Sequence, residues 1–337
     1  GSTLSPMFNL YREIHMKKTL VALAVLAASG ASFAQVAITG SVAMGYASGT
    51  ASTGAQSSGL GVDTATLNFG ASEDLGGGMK LTANQGFDTV RRGSVIGGDT
   101  SMSLATSAYR VGIASVLVGD YIGNGMANVG GSPINGWDGR ITSARSHVDT
   151  VTVAVPLTSA FTLTFGHAEV SANLGAEAGL GVGATGSAAT QRQTSVTAGY
   201  AAGKLAGELM VANWDAQPLG FKSRVRGAVS YDFGMAKVGG GFDQEALYAG
   251  GNRTDAIVSV AVPFGAVTVG ANWAQRQYSG TTASDSTFSG ASFGVSYALS
   301  KTSAVSAQYQ NWNQSNATAA ANASQSNLFE VVLSKSF

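Results

Sequence analysis

The sequence predicts an all-β fold: a 16-stranded antiparallel transmembrane β-barrel with short turns at one rim and long loops at the other. Three observations predict it. Apolar side chains recur at every second position through much of the chain, which is the strand period. The connections between alternating segments are short and long by turns, the pattern of membrane-spanning barrels. Charged residues make up only 11% of the 337, against roughly 25% in soluble domains, and yet no run of about 18 apolar residues offers a membrane helix.

The elements follow in order. Residues 1–15, "GSTLSPMFNLYREIH", fit no targeting signal and read as an upstream extension or a cloning remnant. Residues 16–34 read as a secretory signal peptide. Lys17 and Lys18 form its basic start, Thr19 to Ala28 a short apolar core, and Ser32 and Ala34 the small residues before cleavage at Gln35. The barrel then occupies 35–337. Its first segments are 36–47, 62–71 and 79–89, with "EDLGGG" as a tight turn between the second and third. Next come 102–113, 115–122, 146–155, 160–170, 191–201, 204–214, 222–233 and 235–243. The last five are 253–262, 266–275, 288–299, 302–312 and 326–337. An even count lets the sheet close without an unpaired edge and puts both ends of the chain on the short-turn side.

Alternation gives each face its chemistry. In 160–170, Phe161, Leu163 and Phe165 share one parity and Thr162 and Thr164 the other. In 79–89, Lys80, Thr82, Asn84 and Asp88 oppose Leu81, Ala83 and Phe87. A soluble sandwich would alternate in the same way with its apolar side inward. The small Ser, Thr, Gly and Asn of the polar side, and the large strand count, favour a wet lumen with lipid outside. A secreted β-solenoid is the remaining alternative, but no fixed short repeat supports it. The final strand carries Phe329, Val331, Leu333 and Phe337 on one parity, with Glu330, Ser334 and Ser336 on the other.

Charge and composition exclude several functions. Without residues 1–34, which hold Arg12, Lys17, Lys18 and Glu13, the 19 basic and 19 acidic residues fall to 16 and 18. A net charge of −2 argues against nucleic acid, whose binding rests on clustered Lys and Arg. The absence of cysteine excludes disulfides and thiolate metal sites. The glycine run "GLGVGATG" lacks the Lys-Ser/Thr ending of a phosphate loop.

The signal "MKKTLVALAVLAASGASFAQ", the turn "SEDLGGGMKL" (72–81), "SYDFGMAKVGGGF" (230–242), "YALSKTSAVSAQY" (297–309) and the terminal Phe337 together resemble the general, non-specific porins of beta-proteobacteria. The resemblance runs over the whole chain from Met16. It implies a Gram-negative outer-membrane location, a homotrimer, no cofactor, and passive diffusion of ions and small hydrophilic solutes. It also implies short periplasmic turns, long extracellular loops and a third loop folded inward, here 123–145. That loop holds Trp137, Asp138, Arg140 and Arg145, and the facing wall candidates are Lys80 and Arg110, with Arg91 and Arg92 from the second loop. An inward loop bearing both signs opposite a basic wall sets a transverse field at the constriction. In the resembled family the alternating last strand and its final aromatic are what the barrel-assembly machinery recognises, which gives Phe329, Val331, Leu333 and Phe337 a second role. Lipid and lipopolysaccharide are the expected surroundings.

One departure bears on selectivity. Family members often carry Gly-Arg-Gln in the fifth strand, where this chain has Gly119, Asp120 and Tyr121. The expectation is weak charge selectivity. A substrate-specific channel and a poreless surface adhesin are the alternatives. An outer-wall hydrolase is disfavoured, since no nucleophile elbow stands near a histidine.

Two further groups complete the reading. Pairing Val155 with Phe161 would set Asp149 opposite His167 and His147 opposite Glu169, all facing outward near the long-loop rim. Such a patch would be a polar rim, a contact with another subunit or lipopolysaccharide, or, least favoured, a divalent-cation site. Trp214, Trp273 and Trp312 lie near long-loop ends, where an aromatic girdle is expected, with a solute-stacking aromatic ladder as the alternative.

Overall fold

The computed structural model describes residues 35–50, 54–88, 96–118, 122, 126–129, 146–170, 191–215, 221–248, 250–280, 285–314 and 327–337. They form a closed barrel in which each strand pairs antiparallel with its sequence neighbours and the last pairs with the first. The strands are β1 (Gln35–Thr50), β2 (Gln56–Gly76), β3 (Met79–Asp88), β4 (Ile96–Ala105), β5 (Arg110–Val118), β6 (Ser146–Pro156), β7 (Phe161–Val170) and β8 (Gln191–Ala202). They continue as β9 (Leu205–Trp214), β10 (Phe221–Asp232), β11 (Lys237–Leu247), β12 (Asn252–Phe264), β13 (Val267–Ser279), β14 (Ser286–Ser300), β15 (Ser303–Gln314) and β16 (Asn327–Ser336). The expected count of 16 therefore stands. Residues 1–34 lie outside the described residues.

The two faces divide as the alternation predicts. Val225, Val229 and Tyr231 of β10 are exposed on the outside, while Arg224, Arg226 and Ser230 are buried on the inside. Similarly, Phe293, Val295 and Tyr297 of β14 face out, with Ser292 buried opposite. An apolar outer belt over a polar lining suits lipid outside and water within.

Short turns are made by local polar contacts. Asp74 Oδ1 accepts the Gly76 N–H at 2.8 Å, and Asp232 Oδ1 accepts that of Gly234 at 2.7 Å. In each case an Asp two residues ahead of a positive-φ glycine, φ 78° and 90° respectively, holds the reversal. The same logic without glycine corrects one pair of expected strands. The segments 102–113 and 115–122 are really β4 ending at Ala105 and β5 starting at Arg110. Between them Thr106 Oγ1 accepts the N–H groups of Ala108 and Tyr109 at 3.1 and 3.0 Å. A turn closed by a threonine hydroxyl carries no Gly or Pro punctuation.

A second correction concerns β6 and β7. Val155 pairs with Leu163, not Phe161, so Asp149 faces Glu169 and His167 faces Val151. His147 lies on β6 beside Leu117 of β5. Thr158 Oγ1 accepts the N–H groups of Ala160 and Phe161 at 3.2 and 3.0 Å, which moves the turn centre one residue onward. That changes partners by two positions and leaves every side chain on its expected face.

Closure rests on the end of the chain. Gly40 N–H donates to the Phe337 carbonyl and Phe337 N–H to the Gly40 carbonyl, both at 3.0 Å. A side chain at Gly40 would meet the Phe337 ring at 2.5 Å and the Thr66 carbonyl oxygen at 2.6 Å. The terminal ring thus occupies the space that glycine leaves, on the outer face of the seam. Lys335 breaks the apolar parity and donates to Thr302 Oγ1 at 2.6 Å in the β14–β15 turn, so its charge sits at the short-turn rim. Gly40→Val is expected to lower barrel stability by about 1–3 kcal/mol through overpacking at the seam, read as a lower midpoint of heat-induced mobility shift in gels. An unchanged midpoint contradicts the seam packing.

Candidate functional site

The inner wall of β10–β13 carries the densest chemistry among the described residues. Arg224 and Arg226 stand at alternate positions of β10, Asp243 and Glu245 on β11, Arg253 and Asp255 on β12, and Arg276 on β13. The register brings them side by side: Arg226 with Asp243, Arg224 with Glu245, Glu245 with Arg253, and Asp255 with Arg276. Arg226 bonds Asp243 through Nε at 3.0 Å and a terminal nitrogen at 2.5 Å. Arg224 Nε lies 3.1 Å from Asp243, and its terminal nitrogen binds Glu245. Arg253 reaches Glu245 at 2.5 Å and Asp255 at 3.6 Å. Arg276 holds both oxygens of Asp255 at 2.8 and 2.7 Å.

The result is a zigzag of alternating sign, in which every carboxylate lies between two guanidiniums. Glu245 and Asp255 are completely buried. Burying an ionised carboxylate costs several kcal/mol unless charged hydrogen bonds replace water, and flanking guanidiniums supply them. Aromatic rings close the ladder toward the long-loop side. The Arg224 guanidinium lies 5.3 Å from the Trp214 ring, Arg253 lies 4.6 Å from Phe221, and Arg276 lies 5.9 Å from Tyr278, within cation–π range.

On the short-turn side of the ladder the wall receives the third connection. β5 and β12 are separated by seven steps in the sheet order, and yet residues following β5 lie against β10–β14. Ile122 and Ala127 are buried in a cluster with Ala228, Ile257, Ala274 and Phe288. Ser259 Oγ donates to the Ala127 carbonyl at 2.5 Å and accepts the Val129 N–H at 2.9 Å. Asn272 donates to Asn128 Oδ1 at 3.2 Å and accepts from Ser292 Oγ at 2.8 Å. The glycines of "KVGGGF" explain how backbone comes so close. A side chain at Gly239 would collide with the Met126 carbonyl, and one at Gly241 would meet Ile122 at 2.6 Å and Ala127 at 2.7 Å. Ile122 and residues 126–129, at the start of the third long loop, therefore rest inside the lumen on a side-chain-free seat.

The barrel is closed and apolar-belted, with a polar lining and a strap held against its inner wall. A family model described as Gram-negative porin matches residues 19–317. The chain belongs to the Gram-negative porin family. Among solved structures, an anion-selective porin from Comamonas acidovorans is similar over 90% of this chain and 100% of its own, with 20% identity and a TM-score of 0.67. In-vitro folded OmpT of Vibrio cholerae, an outer membrane protein in its trimer form, matches at 12% identity and TM-score 0.67 over 90% of this chain and 100% of its own. A mutant Rh. blastica porin matches at 12% and 0.58 over the same shares. No curated protein matches the sequence.

The porin places its expected site residues in three groups. Lys80 and Arg110 are exposed on the inner wall at the short-turn end. Arg110 donates to Ser103 Oγ at 3.0 and 3.3 Å, and Ser103 in turn bonds Thr82. They stand together near that mouth, away from the ladder. Arg91, Arg92, Trp137, Asp138, Arg140 and Arg145 lie outside the described residues, as do Gly119, Asp120 and Tyr121. The outward patch holds Asp149, His167 and Glu169, while the side chain of His147 is not described. Glu169 Oε1 accepts from Arg192 at 3.0 Å and lies 3.5 Å from His167. Among the described residues no three such side chains group as a metal site.

Trp273 faces outward, but Trp214 does not join an outer girdle. It shares the parity of fully buried Ala212 and stacks inward over Arg224. Trp312 lies on β15, with its side chain outside the described residues.

Sequence reading missed the ladder. The expected strands 235–243 and 266–275 stop short of Glu245 and Arg276. The available signal was three charge pairs at i and i+2 on consecutive strands. Gly239→Val is expected to lift the strap from its seat, so single-channel conductance becomes larger and noisier while the barrel still assembles. An unchanged conductance trace would argue against the seat.

Proposed function

We propose that this porin is a general-diffusion channel with weak charge selectivity, sieving ions and small hydrophilic solutes without turnover or cofactor. The observation that carries the reading is the inner wall away from the ladder. Ser41 and Thr66 are hydrogen-bonded at 3.1 Å, Thr82 and Ser103 at 2.6 Å, Asn84 and Ser101 at 3.3 Å, and Ser306 and Ser296 at 2.9 Å. Small hydroxyls and amides offer bonds of both senses to any hydrated solute, and select by size more than by identity. Anion selectivity belongs to the Comamonas protein's description, and at 20% identity it does not transfer. Here the arginines of the wall alternate with carboxylates.

The proposal extends to location and assembly. Cleavage before Gln35, the first residue of β1, leaves the barrel whole for insertion into the outer membrane. The Gly40–Phe337 seam supports Phe329, Val331, Leu333 and Phe337 as the segment read by the assembly machinery. A trimer is supported by the outer face of β3–β8. There Gln85, Thr100, Ser115, Asp149, Glu169 and Arg192 form one cross-strand row, beside a groove of about 920 Å³. A continuous outward row of polar side chains, running from the long-loop ends of β6–β8 across β5 and β4 to β3, suits a protein surface better than lipid.

Planar-bilayer recording tests the reading. Conductance is expected in ohmic steps grouped by three, with a reversal potential near zero across a potassium chloride gradient. A strong preference for either ion overturns weak selectivity, and block by one particular sugar or acid favours a substrate-specific channel instead.

A further inference from the structure

We infer that Asp243, Glu245 and Asp255 are specificity-determining residues, which hold the pore near neutral by cancelling the arginines of its own wall. The inference rests on the general-diffusion reading and names the groups responsible for its weak selectivity.

The seven charges form one connected chain: Arg226, Asp243, Arg224, Glu245, Arg253, Asp255 and Arg276. Four guanidiniums and three carboxylates sum to +1 among these seven. All lie on the inward parity of β10–β13, so their summed field acts on the lumen. An uncompensated row of four arginines would favour anions strongly, because a channel with low-dielectric walls focuses the field of fixed charges. With a carboxylate between each successive pair, the fields of neighbours cancel a few ångströms from the wall. What reaches a passing ion is close to that of a single charge.

The surroundings make the cancellation durable. The aromatic rings of Trp214, Phe221 and Tyr278 lie against the guanidiniums from the long-loop side. The strap and its apolar cluster cover the wall next to the ladder from the short-turn side. Bulk salt therefore screens the pairs little, and the side chains have no room to swing apart. Charge sign in this pore is a property of a wall network, and removing a member of either sign shifts its net charge in a predictable direction.

Two substitutions of opposite sign test this in the assembled porin, with reversal potentials in a potassium chloride gradient as the readout. Glu245→Gln leaves Arg224 and Arg253 without their shared carboxylate and should raise the chloride-to-potassium permeability ratio about threefold, as for one unit charge roughly 10 Å from the ion path. Arg276→Gln removes the arginine at the partly exposed end, takes the sum of the ladder from +1 to zero, and should lower the ratio by a similar factor. Asp243→Asn replaces Glu245→Gln if the latter fails to assemble, as judged by heat-modifiable mobility; if neither assembles, a lowered ratio in Arg276→Gln alone supports the inference and an unchanged or raised one overturns it. Opposite shifts support the inference, because a purely structural role would move both variants the same way. No shift, or shifts of the same sign, overturns it. The general-diffusion reading fails separately, if the unaltered protein is itself strongly selective, since the ladder is judged only by differences from it.

Discussion

Backbone hydrogen bonding in a medium without water is the constraint from which this structure follows. Each unsatisfied N–H or carbonyl in hydrocarbon costs several kcal/mol, so a sheet in lipid has to close on itself. Closure here depends on β1 meeting β16 over a ten-residue register that the Gly40–Phe337 bonds carry to the last residue. Once the ring is closed, the strand period of two does the rest. It assigns every side chain to lipid or lumen, and a low charge content becomes compatible with a wet interior.

Closure also creates the conditions for the charged wall. Inward side chains of neighbouring strands stand about 5 Å apart, so charges at alternate positions on β10–β13 have no choice but to interact. Like charges in that geometry would repel strongly, and the observed order of signs removes the repulsion. The strap after β5 adds a second layer. It brings Ile122 and Ala127 into contact with a wall far away in the sheet order, and turns part of an open lumen into a packed interior. Burial of one isoleucine there contributes roughly 1.5–3 kcal/mol, which offsets part of the entropy cost of ordering the segment. Gly239 and Gly241 of β11 make room for that contact, and Ser259 and Asn272 satisfy the backbone and amide it brings.

Sequence patterns carried the architecture further than the site. Strand number, facing and the order of short and long connections are local properties, readable from alternation and turn residues. The errors arose where a side chain outside the usual turn vocabulary decided the geometry. Thr106 and Thr158 each close a reversal with a hydroxyl, and so moved β4, β5 and the β6–β7 register from their expected places. Trp214 was placed by its nearness to a loop, although its parity, opposite to Leu209 and Val211, already put it on the inner face.

What the sequence determined by itself is the barrel, its strand count, its polar lining and the closing strand ending on Phe337, because a period of two and a lack of charge are written residue by residue. What only the tertiary structure decided is which charges meet. Arg226 and Asp243, Arg224 and Glu245, and Asp255 and Arg276 stand 17 to 21 residues apart along the chain, and their pairing depends on cross-strand register. That register is set by turn geometry and ring closure together, so the sign of each arginine's neighbours, and with it the character of the pore wall, exists only once the barrel has closed.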